Sequence, residues 1–253
     1  MNVTDYLKAR DEQVKKNWSD DLLWLNVYGF TQELIRTNYV KNFTWMGRPI
    51  LQYPTDLMVM QEIIWEVKPD IIIETGVAFG GMTKFYAHML DVCGGTAVIG
   101  IDIDIRKDNR KALMDQKQLA YMIKLVEGSS IDPNVFEKVL HLIDDEEPIA
   151  EGIAEDYTIL VSLDSNHSHD HVLQELKLYS PLVSVGSYVV VFDTAIEIYM
   201  KEQPKDRPWG PKNNPMSAVQ SFMKDNENFI IDHEVEARAL ITAAPSGWLR
   251  RVK

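Results

Sequence analysis

Short apolar runs alternate with amphipathic helical patterns from residue 70 to residue 193, and that alternation restricts the chain to very few folds. The runs are "DIIIET" (70–75), "AVIGIDID" (97–104), "IKLVEG" (123–128), "YTILVSLD" (157–164) and "SYVVVFD" (187–193). Between them lie "TKFYAHMLDVC", "KALMDQKQLA", "PNVFEKVLHLI" and "HDHVLQELKLYSPLV", each with apolar residues at helical spacing. β-Branched runs bounded by helices predict an α/β fold, a mostly parallel, doubly wound sheet covered on both faces. The tail "FIIDHEVEARALITAAPSGWLRRV" reads as two or three more strands forming an antiparallel C-terminal edge.

Residues ahead of the first run read as a helical N-terminal extension. "SDDLLWLNVYGFTQELI" has helical periodicity with Ser19 or Asp20 as cap, and "PTDLMVMQEIIWEV" puts Leu57, Met60, Ile64 and Val67 on one face with Thr55 as cap. The expected organisation is a helical arm or lid over residues 1–54 and one domain over 55–253. In "NNPMSAVQSFMKD", Asn214 is placed to cap a helix with Pro215 in its first turn.

The bulk numbers exclude several functions. A net charge of −12 without a Lys/Arg block argues against nucleic-acid binding and against an anionic lipid surface. The single cysteine, Cys93, rules out an internal disulfide framework or a cysteine-rich zinc site and reads as a packed thiol. No apolar stretch approaches the ~20 residues of a membrane span, and "MNVTDYLKARDEQVKKNW" lacks a secretory apolar core. A cytoplasmic location is expected; an association with further copies of itself is left open.

Open parallel sheets hold ligands beyond the carboxyl ends of their strands, which selects the residues worth reading. After the first run comes Glu74-Thr75-Gly76-Val77-Ala78-Phe79-Gly80-Gly81. Gly76 admits close approach of a ligand, while Gly80 and Gly81 permit a tight turn into the helix. A dinucleotide fingerprint needs a second glycine where Ala78 stands, so the turn suits a nucleoside without phosphates against the helix. Asp102, at the end of the second run, is where a ribose diol is gripped by a carboxylate. Ser129 and Ser130 are placed to border an adenine, and Asp104 reads as a solvated neighbour. S-adenosylmethionine satisfies this pattern, with its charged amino-acid end near Glu74.

Asp164 and Asp193 end the fourth and fifth runs at the same sheet edge. Two converging carboxylates call for a cation, and oxygen ligands select a hard ion such as Mg2+. His167, three residues after Asp164, is the candidate general base. His169 and His171 permit a zinc site but fit surface or capping positions better.

The segments "FTWMGRPILQYPTDLMVMQEIIWEVKPDIIIETGVAFGGM", "VIGIDIDIR", "LDSNH" and "GSYVVVFD" resemble the cephalosporin hydroxylase-like family, which includes rhamnosyl and macrolide-sugar O-methyltransferases. The resemblance covers most of residues 43–195. It implies the Rossmann-like class I methyltransferase fold, S-adenosylmethionine as cofactor, and magnesium. Gly76 and Asp102 carry over as cofactor contacts, Asp164 and Asp193 as metal ligands, and His167 as base. The family pattern has an acid before the fifth-strand aspartate; Phe192 stands there instead, which leaves Asn166 as a substitute oxygen. Trp45, Gln52 and Asp56 correspond to the lid, and Trp209, Asn213 and Asn214 lie in a stretch suited to an acceptor loop. The expected reaction is O-methylation of a hydroxyl on a sugar or glycosylated metabolite such as a polysaccharide. The alternatives are a non-haem iron oxygenase using His167, Asp164 and His169, a nicotinamide dehydrogenase, and a cofactor-binding homologue without catalysis.

Overall fold

Each run of the alternating series forms a strand; the central ones, Ile71–Thr75, Ile159–Leu163 and Tyr188–Val191, are buried along their whole length, while the edge strand Ile123–Glu127 carries Lys124 and an exposed Glu127. The computed structural model describes residues 2–115, 119–144 and 157–253. An arm of two helices, α1 (Val3–Trp18) and α2 (Asp21–Arg36), opens the chain. A two-stranded hairpin, β1 (Thr44–Trp45) with β2 (Arg48–Pro49), and α3 (Pro54–Val67) follow. The alternating region gives β3 (Ile71–Thr75), α4 (Gly81–Cys93), β4 (Ala97–Asp102), α5 (Lys107–Met114), β5 (Ile123–Glu127), α6 (Pro133–Asp144), β6 (Ile159–Leu163), α7 (His169–Tyr179) and β7 (Tyr188–Val191). The last elements are α8 (Ala195–Tyr199), α9 (Pro215–Lys224), β8 (Phe229–Ile231), α10 (His233–Ala239) and β9 (Trp248–Arg251). Residues 116–118 of the expected helical segment "KALMDQKQLA" lie outside the described residues.

The main sheet has the order β5-β4-β3-β6-β7-β9-β8, with every pairing from β5 to β7 parallel. β9 runs antiparallel between β7 and β8. The order reverses between β3 and β6, so the crevice above those strands is where such a sheet takes its ligand. Period-two alternation sends Ile72 to the face under α3 and α4, and Ile71 and Ile73 to the opposite face with Val161 and Leu176.

Local chemistry sets the helix starts. Asp20 caps α2 by accepting the Leu23 N–H at 2.9 Å, and Asn214 caps α9 in a reciprocal box with Ser217, with Pro215 in the first turn. At α3 the expected cap is corrected: Tyr53 is the N-cap, Pro54 opens the helix, and the Thr55 hydroxyl donates to the Ile241 carbonyl. The tail forms the expected antiparallel C-terminal edge. It supplies two strands, and "HEVEARA" between them is the helix α10, capped by Asp232. Cys93 ends α4, partly buried against the core.

Candidate functional site

Beyond β3 the chain turns with Gly76 at φ +94°, Ala78 at +47° and Gly80 at +78°. A Cβ on Gly76 would lie 2.0 Å from the Asp164 carbonyl, so only glycine lets β3 and β6 close at their carboxyl ends. The turn is held from two sides. Arg48 of the hairpin donates to the Phe79 carbonyl at 2.8 Å and to Asn109 Oδ1 at 2.5 Å, and Asn109 Nδ2 donates to the Ala78 carbonyl at 2.7 Å. Asp102 Oδ2 accepts the Ala78 N–H at 2.8 Å and its Oδ1 the Asp104 N–H at 3.1 Å. The turn and the β4 acid thereby fix each other.

A cavity of about 400 Å3 opens over this junction, lined by Gly76, Ala78, Asp102, Ser129, Ser130 and Asp164. That is a small-molecule volume at the reversal of strand order. Gly80 and Gly81 do not line it. Gly80 packs on Leu113, and Gly81 is forced by the Pro49 carbonyl, which a Cβ would meet at 2.2 Å. Glu74 does not line it either: its carboxyl is buried beneath α4 and accepts the Thr83 hydroxyl at 2.5 Å. Ser165, Asn166, His171 and Trp209 also line the cavity, although the sequence put His171 at a surface or capping position and Trp209 in an acceptor loop. Under the wall Ser130 and Ser165 both donate to Glu175 Oε1, at 2.5 and 2.7 Å, while His171 Nε2 lies 3.0 and 3.2 Å from the same hydroxyls. The one signal for this network was the i,i+4 spacing of His171 and Glu175.

A second cavity, about 240 Å3, shares Gly76, Ala78, Asp164 and Ser165 with the first and adds Leu51, Phe79, His167 and Asp193. One ligand atom each from Asp164, His167 and Asp193 lie within 4.8 Å of one another. His167 Nε2 is 3.0 Å from Asp193 Oδ2, and Trp209 meets the imidazole edge to face at 4.8 Å. Asp193 adopts φ +56°, uncommon outside glycine, which turns its carboxylate into the crevice. Burial pushes the Asp164 carboxyl well above the usual range; the Asp193, Glu74 and Glu175 carboxylates add to this, and the Gln52 amide at 3.0 Å opposes it. A cation between Asp164 and Asp193 would reverse that penalty. Gln52 is itself buried, and among the described residues its Oε1 has no hydrogen-bond partner.

The remaining expected residues are scattered. Phe192 supplies no oxygen; its ring is buried against Trp248 at 6.0 Å. Asn166 Oδ1 accepts the Ser168 N–H at 2.9 Å, a turn contact at the start of α7. His169 points to Ser217 at 2.9 Å, so a site of two histidines and one carboxylate is not assembled among the described residues. Trp45 anchors the hairpin on α4, edge to face with Phe85 at 5.0 Å, rather than covering the cavity. Asp56 is buried, accepts the Ala243 N–H at 2.9 Å, and is pushed up to about 7 by burial. Asn213 and Asn214 bond to His169 N–H and Gly210 carbonyl, holding the loop that carries Trp209.

Burial, then the Asp102 charge, pushes Glu74 up to about 8, with the Thr83 hydroxyl opposing. A carboxyl whose folded-state pKa is raised loses stability as pH climbs from its unfolded value through the raised one, by up to about 1.4 kcal/mol per unit. Glu74→Gln keeps an acceptor for Thr83 and removes the titration. Its melting temperature should match wild type near pH 4, exceed it increasingly up to pH 8, and hold that excess above. Parallel melting curves at all pH values would contradict the assignment.

Comparison with known proteins agrees with this architecture. The family model described as rhamnosyl O-methyltransferase/CmcI matches residues 37–252. A rhamnosyl O-methyltransferase of Mycobacterium tuberculosis (strain ATCC 25618 / H37Rv) is 32% identical over 210 residues, covering 82% of this chain and 78% of that protein. One from Mycobacterium leprae (strain TN) is 33% identical over 188 residues, covering 67% and 76%. A solved structure of CmcI with magnesium and S-adenosylmethionine superimposes with a TM-score of 0.55 at 21% identity, covering 84% of this chain and 78% of that one, a likeness of fold.

Proposed function

The chain belongs to the rhamnosyl O-methyltransferase/CmcI family, and from that premise we propose that it methylates a hydroxyl of a sugar or glycosylated metabolite, in the cytoplasm, with a divalent ion such as Mg2+ assisting. It is an S-adenosylmethionine-dependent O-methyltransferase. The observation that carries the acceptor-side reading is the meeting of two cavities at Asp164, with Asp164, His167 and Asp193 at the junction. Residues 1–54 act in this reading as a helical arm and lid on a methyltransferase domain of residues 55–253, and Gln52 reaches Asp164 from the arm side.

The residues of the first cavity fit the cofactor. Two of the lone pairs on Asp102 are taken by the Ala78 and Asp104 N–H groups, which aims the rest at a ribose diol. Gly76 leaves room at the floor, and Ser129 and Ser130 border the nucleoside end. When bound, S-adenosylmethionine would supply an electrophilic methyl, and the ion would lower the pKa of a hydroxyl beside it. Asp164 and Asp193 are the residues that would hold that ion, the rest of its shell coming from water and acceptor oxygens.

His167 turns Nε2 toward Asp193, which orients the ring and leaves Nδ1 to receive the acceptor's proton. Trp209 limits rotation of the imidazole. His167 takes the proton of the acceptor hydroxyl, and Gly76 and Asp102 would hold the cofactor whose methyl that oxygen receives. Since methyl transfer needs little further chemistry, orientation supplies up to ~7–11 kcal/mol of the barrier reduction. His167→Ala should lower turnover about 10²–10³-fold with S-adenosylhomocysteine affinity unchanged and partial rescue by added imidazole. Full turnover in that variant would remove His167 from the chemistry.

The deciding experiment is calorimetric titration with S-adenosylhomocysteine, with and without Mg2+, followed by assay against rhamnosides and other neutral glycosides. Cofactor binding and Mg2+-stimulated methylation of a glycoside are expected. Binding without turnover on any glycoside would overturn the sugar reading.

A further inference from the structure

A third pocket, open to solvent and of about 410 Å3, lies away from the site, where the arm meets α8 and α10. Trp18, Trp24 and Tyr28 come from the arm, Tyr199 from α8 and Glu236 from α10. The family model matches from residue 37 onward, so three of the four aromatic residues of the wall, Trp18, Trp24 and Tyr28, come from a segment ahead of the matched region. The rings are held in place. Trp18 and Trp24 meet edge to face at 5.4 Å, Trp24 Nε1 donates to the Trp18 carbonyl at 3.0 Å, and Tyr28 stacks on Tyr199 at 5.2 Å. Glu236 is 8% exposed, and its Oε2 accepts the Ser246 N–H at 3.1 Å with His233 at 3.5 Å. No hydrogen bond to Oε1 occurs among the described residues.

We propose that this cavity binds a neutral glycosyl ring of the acceptor, outside the place where the methyl is transferred. Aromatic faces carry negative charge density and attract the polarised C–H faces of a sugar ring. A buried carboxylate oxygen accepts from its hydroxyls. No lysine or arginine lines the space, and Glu236 repels anions, so phosphorylated, sulfated or uronate ligands are disfavoured. A purely aliphatic ligand would shield the carboxylate without giving it a donor, at a cost. The position suits an extended acceptor. α8 starts two residues after Asp193, and six residues of mostly helical chain from Asp193 to Tyr199 span roughly 9 Å.

The inference rests on the sugar-acceptor reading but is tested separately. The full chain is titrated with methyl α-rhamnoside and an α-linked dirhamnoside, followed by tryptophan fluorescence and calorimetry, with tetramethylammonium and a methyl glucuronide as charged controls. Saturable binding of the neutral glycosides is expected, tighter for the disaccharide. Trp24→Ala should weaken it at least 10-fold, and the shape-preserving Glu236→Gln at least 3-fold. Binding of S-adenosylhomocysteine serves as the control that each variant is folded. Three outcomes would overturn the assignment while the cofactor still binds: no saturable response to a neutral glycoside, a response to tetramethylammonium or the glucuronide alone, or glycoside affinity unchanged in Trp24→Ala. Loss of cofactor binding by the wild-type chain would instead strike the methyltransferase reading.

Discussion

Asp164→Asn should be an inactive protein that melts higher than wild type. Asp164 stands at the floor shared by both cavities, so its charge bears on the acceptor oxygen and on any ion placed with Asp193. Asparagine keeps an acceptor for the Gln52 amide but gives up the charge, and turnover should fall about 10²–10⁴-fold, roughly 3–5 kcal/mol of transition-state stabilisation. The stability effect has the opposite sign. Burial first, then Asp193, Glu74 and Glu175, makes the ionised Asp164 carboxyl unfavourable in the folded chain. A raised folded-state pKa means that this penalty is absent below the unfolded value near 4, grows as pH rises, and levels off above the raised value. The variant's thermal advantage should follow that course. Mg2+ should raise the melting temperature of wild type, because the ion binds the ionised folded form, and leave the variant unmoved. An active Asp164→Asn protein, or one that melts below wild type at pH 8 without Mg2+, would contradict the assignment.

The same physics explains what the sequence disclosed and what it withheld. Central parallel strands are buried on both faces, so "YTILVSLD" and "SYVVVFD" announce themselves as apolar runs, and their carboxyl ends name Asp164 and Asp193 without a structure. Direction within a strand is harder. Glu74 shares a face with Ile72 and therefore goes under α4 to Thr83, whereas the string "IIIETG" read alone lets it face the ligand. α10 has seven residues, too few for a helical period to stand out beside β8 and β9. Trp45 illustrates a different loss. Its indole is equally plausible as cover or anchor until Phe85 is seen beneath it. Contacts between distant segments left little trace: Glu175 beneath Ser130 and Ser165 joins three stretches of chain, and the aromatic cavity joins the arm to α8 and α10.

Gly76→Ala should cost both the fold and the cofactor. Gly76 adopts φ +94°, where an L side chain is strained by about 1–2 kcal/mol. The added methyl would also lie 2.0 Å from the Asp164 carbonyl oxygen and 2.6 Å from its carbon. That neighbour is backbone and cannot rotate away, because Asp164 N–H donates to Thr75 O at 2.9 Å and Phe192 N–H to Leu163 O at 3.0 Å. Relief requires the carboxyl end of β6 to move off β3, which displaces Asp164 and opens the floor on which both cavities rest. A loss of at least about 3 kcal/mol is expected, a fall in melting temperature of roughly 6–12 °C for a chain of this size, together with a drop of more than 10-fold in S-adenosylhomocysteine affinity. Gly94→Ala separates the two causes. Gly94 has φ +87°, but nothing lies within 4 Å of the position its Cβ would take. It should show the conformational strain alone, about 1–2 kcal/mol, with cofactor affinity intact. If both variants melt together and bind the cofactor equally, the closure of β3 on β6 at Gly76 is not what shapes the site.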